Sequence, residues 1–283
     1  MNFFDRITRS IFGTTSNSKQ VEVKNLNVPS KYLERGVAVD VFLPPNYGRD
    51  KRQHFPTIFF NDGQDMPALG MYDTLERLFT EGSLAPCLVV AVHCSADRMN
   101  EYGTARQSDY KNRGNRAREY SDFFIHELVP LVRSEFKCRA EPQATTFAGF
   151  SLGALSALDI SWANPEIFGK VGVFSGSLWW RSREFTEADP DGGRIMHDIV
   201  QSSGVREGMK FWFEVGTRDE NCDRNRNGVI DAIDDTVDLI NDLAALGYRP
   251  HEDIKYVEIQ GGEHNQQTWG AVMPEFLTWA VGN

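Results

Sequence analysis

"ATTFAGFSLGALSAL", residues 144–158, passes from β-branched and aromatic residues through Gly149 into a small-residue stretch of helical character. Ser151 stands at the turn, inside the pattern G-x-S-x-G formed by Gly149-Phe150-Ser151-Leu152-Gly153. A strand that turns sharply into a helix holds its corner residue in a strained conformation. Small flanking residues leave room for that turn, and the hydroxyl is left exposed at the sheet edge. The helix starting there brings unpaired N–H groups and the positive end of its dipole to where negative charge would develop. That is the setting of a nucleophilic serine. The competing reading is a glycine-rich turn with an incidental serine; the strand before it and the helix after it favour the nucleophile.

Outward from this stretch, strand-like and helix-like segments alternate, which argues for a mostly parallel sheet covered by helices. "VAVDVFL" (37–43) alternates like a strand. "PTIFFND" (56–62) and "CLVVAVHC" (87–94) hold continuous apolar runs, as strands buried on both faces do. "KVGVFSG" (170–176), "KFWFEVG" (210–216) and "IKYVEIQ" (254–260) read as further strands. Helices are expected over 152–163, 234–248 and 267–281, and over 118–136, where Tyr120, Phe124, Leu128, Val132 and Phe136 fall four apart. Pro130 should kink or break that last helix. There is no fixed-period repeat, low-complexity segment or convincing linker, so 21–283 reads as one domain and 1–20 as a terminal arm. The arm's Phe4, Ile7 and Ile11 recur at helical intervals.

The chain has 283 residues, 41% hydrophobic and 25% charged, with a formal net charge of −10. The apolar content suffices for a sizeable core. An acidic surface repels phosphate backbones and anionic membranes, so neither is an expected partner. No apolar run approaches a membrane span. The first residues lack the continuous apolar core of a secretory signal. Cys87, Cys94, Cys138 and Cys222 form no CxxC pair and no zinc spacing, so they read as free thiols of a reducing, cytoplasmic setting.

A serine nucleophile needs a base, and the base needs a carboxylate to orient it. On a strand-turn-helix of this kind the partners come in the order serine, acid, histidine, each just after a later strand. Only His197, His251 and His264 lie after Ser151. His264, in "IQGGEHNQQTW", directly follows the last strand. His197 reads as part of an irregular polar stretch, and His251 precedes that strand. His54, His93 and His126 come too early and read as surface or packing residues. "KFWFEVGTRDE" delivers Asp219 just past Gly216, with Glu220 as the neighbouring alternative and Glu214 expected to point elsewhere. The oxyanion needs two backbone donors. Leu152 N–H offers one, and Gln64 N–H in the loop "FFNDGQDM" (59–66) the other, unless that loop is an ordinary Asp-Gly turn.

Taken together, "YLERGVAVDVFLPPNY", "IFFNDGQDM", "DRMNEYG", "EYSDFFIHELVPLV", "FAGFSLGALSAL", "FGKVGVFSGSLWW", "EVGTRDE" and "GGEHNQQTW" resemble the putative-esterase (esterase D-like) family of α/β-hydrolases. That family includes S-formylglutathione hydrolases, siderophore trilactone esterases, feruloyl and acetylxylan esterases, and mycolyltransferases. The resemblance spans most of the chain. It implies the α/β-hydrolase fold, the triad Ser151, Asp219, His264, and an oxyanion donor in the Asp62–Gln64 loop. It also implies that Arg98, Glu101 and Tyr102 shape the wall of the site, with Trp179 or Trp180 near the acyl or leaving-group pocket. Set against this, a tryptophan pair is often core, and Arg98 with Glu101 could be a structural ion pair. Ala154 departs from the pattern, since many relatives carry glycine there; alanine is small enough to keep the helix close to the sheet.

"DRNRNGVIDAID" (223–234) raises a separate expectation. Asp223, Asn225 and Asn227 at alternate positions, then Gly228, Val229, Asp231 and Asp234 at the twelfth place, match the ligand order of a calcium loop. Val229 would ligate through its carbonyl and Asp231 through water, with Ile230 anchoring the loop in the core. The twelfth residue is Asp rather than Glu, as in dockerin-like loops, and a strand end rather than a helix leads in. The simpler reading is a polar turn capping the next helix. A Ca2+ ion here would be structural, and a cytosol low in free calcium would leave a weak site empty. The locally basic 106–118 stretch could steer an anionic substrate, though it reads more simply as a solvated loop.

The expected function is therefore a serine carboxylic-ester hydrolase acting on a small-molecule or carbohydrate-linked ester, with no organic cofactor. The rival functions are an acyltransferase on the same fold and a non-catalytic, calcium-stabilised binding module.

Overall fold

The strand that carries the chain to Ser151 lies inside an eight-stranded sheet. The computed structural model describes residues 20–282; apart from Gln20, the arm expected over 1–20 lies outside them. The strands are β1 (Glu22–Ser30), β2 (Arg35–Leu43), β3 (Thr57–Asn61), β4 (Leu88–Val92), β5 (Thr145–Phe150), β6 (Lys170–Phe174), β7 (Lys210–Arg218) and β8 (Ile254–Glu263). Their spatial order is β1-β2-β4-β3-β5-β6-β7-β8, and it is β5 that ends at the serine. The β1–β2 and β2–β4 pairs are antiparallel, and every other neighbouring pair is parallel. This is the mostly parallel sheet of an α/β-hydrolase. β1 is an addition to the strands read from sequence.

The helices are α1 (Met71–Glu81), α2 (Arg98–Glu101), α3 (Ala117–Phe123), α4 (Val129–Glu135), α5 (Leu152–Ala163), α6 (Ile195–Gln201), α7 (Asp231–Ala245) and α8 (Gln266–Val281). Strand alternation divides the core in two. Phe59, Val90 and Phe147 face one side with Tyr120, Phe124, Leu155, Leu158, Leu239 and Leu243. Ile58, Phe60, Ala148 and Phe150 face the other with Met71, Leu75, Trp269 and Phe276. Burying one such aromatic contributes roughly 1.5–3 kcal/mol. All five residues of the four-apart row expected over 118–136 are buried. That segment is split by a π-helical turn, Phe124–Leu128, just before Pro130. The wider turn is the break that proline, with no N–H to give, was expected to cause. His197 is a correction: it lies in α6, buried, with Nδ1 3.0 Å from Asp242 Oδ2, rather than in an irregular stretch.

The parallel register decides where chemistry can occur. Phe150 pairs with Phe174, and Phe174 with Glu214. The C-terminal ends of β3 to β8 therefore share one edge, and the loops after them gather there. In open α/β sheets this is the edge at which ligands bind.

Candidate active site

Ser151 has φ 55° and ψ −122°. A non-glycine residue in this region costs of order 1–3 kcal/mol, and the surrounding bonds must hold it there. Ser151 N donates to Phe174 O (2.9 Å), and Ser151 O accepts from Ser177 N (3.1 Å), Ala154 N (3.1 Å) and Leu155 N (3.2 Å). Both glycines of the motif are explained by space. A Cβ on Gly149 would run into the Gly153 carbonyl, and one on Gly153 into the Asp62 carboxylate. Ala154 fits fully buried, as expected. The Ser151 Oγ lies 3.4 Å from Ser177 Oγ, a neighbour that the sequence alone did not single out although the "FSGS" after β6 contains it.

The loop after β3 is clamped onto this elbow. Asn61 Nδ2 donates to Gly153 O (2.7 Å), and Tyr120 Oη donates to Asn61 Oδ1 (2.6 Å). Asp62, at φ 60°, is buried. Its carboxylate takes two bonds from Arg98, each 2.7 Å, and its N–H donates to Tyr102 Oη at 3.2 Å. Arg98 also donates to Phe150 O (3.3 Å), one residue before the serine. Burial disfavours the Arg98 charge, but the hydrogen bonds and charge of Asp62 outweigh it and raise its pKa. The Gln64 side chain is engaged by Asp62 (3.1 Å) and Cys94 N (3.1 Å). What Gln64 can offer the site is its N–H, in the 3-10 turn Gly63–Asp65. Leu152 N–H is at the start of α5, where no intrahelical acceptor exists.

Asp219 follows β7 and His264 follows β8, the strand beside it. Gly216 lets Asp219 fold back: a Cβ there would stand 2.7 Å from Asp219 Oδ1. His264 is fixed between the strand end and Asn265, the N-cap of α8, whose side chain accepts from Thr268 N. His264 Nδ1 is 3.7 Å from Asp219 Oδ2, an ion-pair distance longer than a hydrogen bond, with the Asp219 side chain 1% exposed and His264 39% exposed. Trp269 ties this pair to the elbow. Its ring stacks on Phe150 at 5.0 Å and meets His264 edge-on at 5.2 Å, and its Nε1 donates to Ser175 Oγ at 2.9 Å. Glu220 faces Asp231 and Ala232 instead, and burial raises its pKa; Asp219 is the carboxylate set against His264.

Three of the expected wall residues are corrected. Glu101 is fully buried and bonded to Arg35 (3.0 and 2.5 Å) and Ser95 (3.0 Å), so it pairs neither with Arg98 nor with a pocket. Tyr102 is fully buried, with the Arg98 guanidinium 5.0 Å over its ring. Trp180 is core, 1% exposed. Tyr102 braces the Asp62–Arg98 clamp, which is where Arg98 acts. Trp179 is 39% exposed and lines a cavity of about 470 Å³ with Phe185, Arg181 and Arg224. In the basic stretch, Arg113 binds Asp109 and stacks on Trp179 and Trp180, and Arg116 binds Asp97 at 3.2 Å, so neither is free to steer a substrate.

In the 223–234 loop, Asp223 accepts from the N–H groups of Asn227 (3.1 Å) and Gly228 (3.0 Å). The amides of Asn225 (3.0 Å) and Asn227 (2.8 Å) converge on Asp234 Oδ2. Gly228 has φ 89°. Val229 N donates to Asn227 Oδ1 at 2.7 Å. Ile230 is only half-buried. The anchor is Arg224, 6% exposed, bonded to Asp191 (2.8 Å) and Asp235 (2.7 Å) and 3.3 Å from Asp231. Asp231 Oδ1 also accepts from Arg224 N at 2.8 Å, so that oxygen is already engaged by the loop backbone. Among the described residues no three His, Cys, Asp or Glu side chains group to hold a metal. A hard cation fits here only if the two amides rotate to present oxygen, joining Asp223, Asp234 and the Val229 carbonyl.

Comparison with known proteins bears on this geometry. The family model described as "Putative esterase" matches residues 30–280. Uncharacterized protein YbbA of Bacillus subtilis (strain 168) is 27% identical over 172 residues, 58% of this chain and 68% of YbbA. The iron(III) enterobactin esterase of Escherichia coli (strain K12) is 32% identical over 102 residues, 35% of this chain and 24% of that protein. Among solved structures, the enterobactin esterase FES from Shigella flexneri with enterobactin has a TM-score of 0.73 at 20% identity, covering 93% of this chain and 60% of that one. A ferulic acid esterase has a TM-score of 0.71 at 15% identity, covering 93% of this chain and 99% of that one. The likeness to the two structures is one of fold. The chain spans less than two thirds of the enterobactin esterases' length.

Proposed function

Because the chain belongs to the putative esterase family, its chemistry is carboxylic-ester hydrolysis, and we propose that it proceeds through an acyl-enzyme on Ser151, with His264 as base and Asp219 as its orienting carboxylate. The observation that carries this reading is the placement of the three. A serine held at φ 55° follows β5, a buried aspartate follows β7, and a histidine 3.7 Å from that aspartate follows β8, all on one sheet edge.

In this mechanism Ser151 Oγ attacks the acyl carbon as His264 takes its proton. The N–H groups of Leu152 and Gln64 hold the oxyanion. His264 then protonates the departing alcohol, and Asp219 stabilises the imidazolium. Water, deprotonated by His264, attacks the acyl carbon; the ester bond to Ser151 breaks as His264 returns the proton to Ser151 Oγ, and the acid is released. A small-molecule or carbohydrate-linked ester is the substrate class we favour, in keeping with relatives named for enterobactin and feruloyl esters. Assay against p-nitrophenyl, acetyl-sugar and feruloyl esters, with and without an added alcohol, tests the reading. Free acid as the main product supports hydrolysis; a transferred acyl group identifies an acyltransferase, and no turnover of any ester counts against both.

We also propose that the 223–234 loop binds Ca2+ through Asp223, Asn225, Asn227, Asp234 and the Val229 carbonyl, bracing the segment that comes after Asp219. Asp231 would take part only through water. A ligand at a hundred times its dissociation constant stabilises by about 2.7 kcal/mol, which raises Tm by about 5 °C in a chain of this size. Calcium should produce that rise over EDTA in the native protein and none in Asp223→Ala. Equal melting in calcium and EDTA contradicts the proposal.

A further inference from the structure

β7 carries a second carboxyl, Glu214, that the triad does not use and that the sequence suggested would point elsewhere. It is 1% exposed. Neither of its carboxyl oxygens has a hydrogen-bond partner among the described residues, and neither does either oxygen of Asp219. Glu214 and Gly216 share one face of β7, and Asp219 Oδ1 lies over Gly216, so the two carboxyls are neighbours. Four buried carboxyl oxygens without a hydrogen bond are costly unless the two groups satisfy each other. A protonated carboxylic acid has an O–H to give, and an adjacent carboxylate is its natural acceptor.

The surroundings place Glu214 under the triad. Its carbonyl accepts from Ser175 N at 2.8 Å, and Ser175 Oγ accepts from Trp269 Nε1, the indole that meets His264 edge-on. The Ser175 hydroxyl and amide also face the Glu214 carboxyl, short of hydrogen-bond geometry, and favour its ionised form. Burial and then the charge of Asp219 push the other way and prevail, raising the acid to about 8. The titratable groups that act on Glu214 among the described residues are Asp219 and, from the other face of the sheet, Tyr256 of β8, whose hydroxyl bonds Glu258 at 3.0 Å. Ser175, just after β6, and Trp269 of α8 do not titrate.

We propose that Glu214 is a positioning residue of the triad: as a neutral acid it donates its proton in a hydrogen bond to the carboxylate of Asp219 and holds that carboxylate against His264 Nδ1. The inference rests on the triad reading of Asp219 and His264. Ionisation of Glu214 removes the donor and sets a second negative charge beside Asp219, so kcat declines as pH rises past the Glu214 titration.

The test is the pH profile of kcat and KM for p-nitrophenyl butyrate, with thermal melts alongside. The native enzyme should lose kcat above about pH 8. Glu214→Gln keeps an N–H donor and cannot ionise. It should hold kcat within roughly threefold at neutral pH and abolish the alkaline decline. Glu214→Leu, with no donor, should lower kcat roughly tenfold or more with KM nearly unchanged. A folded Glu214→Gln enzyme that keeps the native decline overturns the proposal, as does Glu214→Leu with native kcat and profile. If Glu214→Leu does not fold, the Glu214→Gln profile decides. Ser151→Ala run in parallel separates the two levels. Activity surviving in it strikes the triad itself; an inert Ser151→Ala beside a Glu214→Gln enzyme that still declines strikes only Glu214.

Discussion

Replacing Ser151 by alanine is expected to lower kcat for ester hydrolysis by roughly 10⁴-fold or more, because members of the proposed triad would act as a unit and loss of the nucleophile would remove most of what they do together. The fold should survive it. Ser151 is half-exposed, and its Oγ makes one long contact, 3.4 Å to Ser177. The backbone bonds that hold the elbow do not involve the hydroxyl. Stability and activity part more sharply in Ser151→Gly. Glycine adopts φ 55° without the penalty serine bears there, so this variant should be inactive yet more stable, by up to about 1–3 kcal/mol less the extra chain entropy of glycine. Urea denaturation and steady-state kinetics on the same samples check both halves. A Ser151→Gly protein less stable than the native one would mean that the serine is not strained.

The second large effect falls on the Asp62–Arg98 clamp. Removing one partner of a buried ion pair costs about 3–5 kcal/mol, since the other charge is left uncompensated. The Asp62 side chain is 1% exposed and that of Arg98 is 30% exposed, so solvent screens part of the pair and the lower end of that range applies to Arg98→Met. Asp62→Asn in the Arg98→Met background removes the stranded charge and should recover part of the loss, measured as a double-mutant cycle in urea. Activity should fall as well. Asp62 opens the turn that carries Gln64, and Arg98 also holds Phe150 O, so the clamp sets the loop against the elbow from both sides. An Arg98→Met protein with native stability and activity would show that the pair is dispensable.

How much of this is legible in the chain depends on which signals are local. The turn at Ser151 announces itself through Gly149 and Gly153, although only Gly149 answers to the turn itself, while Gly153 makes room for Asp62 of the loop after β3. The order of serine, aspartate and histidine along the chain reflects the order of β5, β7 and β8. His264 could be chosen because it directly follows one strand and precedes a helix. Glu214 could not be placed in this way. Phe211 through Gly216 are all buried, so alternation along β7 carries no sign of which face a residue takes. The Arg98–Asp62 pair joins residues 36 apart that meet only through the sheet, and Glu101 has the look of a pocket residue until Arg35 is seen to claim it. β1 escapes notice because it is an edge strand whose inward face carries Glu22 and Lys24 beside Leu26 and Val28, with Asn25 and Asn27 exposed on the other face. The calcium-type loop is legible as a ligand pattern. Its anchor is not, because Ile230 looks the part and Arg224 meets its carboxylates only in three dimensions.

The most direct test of the central claim is covalent labelling by a fluorophosphonate probe, then mass-spectrometric mapping of the modified peptide. The expected result is one adduct on Ser151 in the native protein, and an adduct formed far more slowly in His264→Ala. No labelling of the native protein, an adduct on another residue, or unchanged labelling without His264 would contradict it.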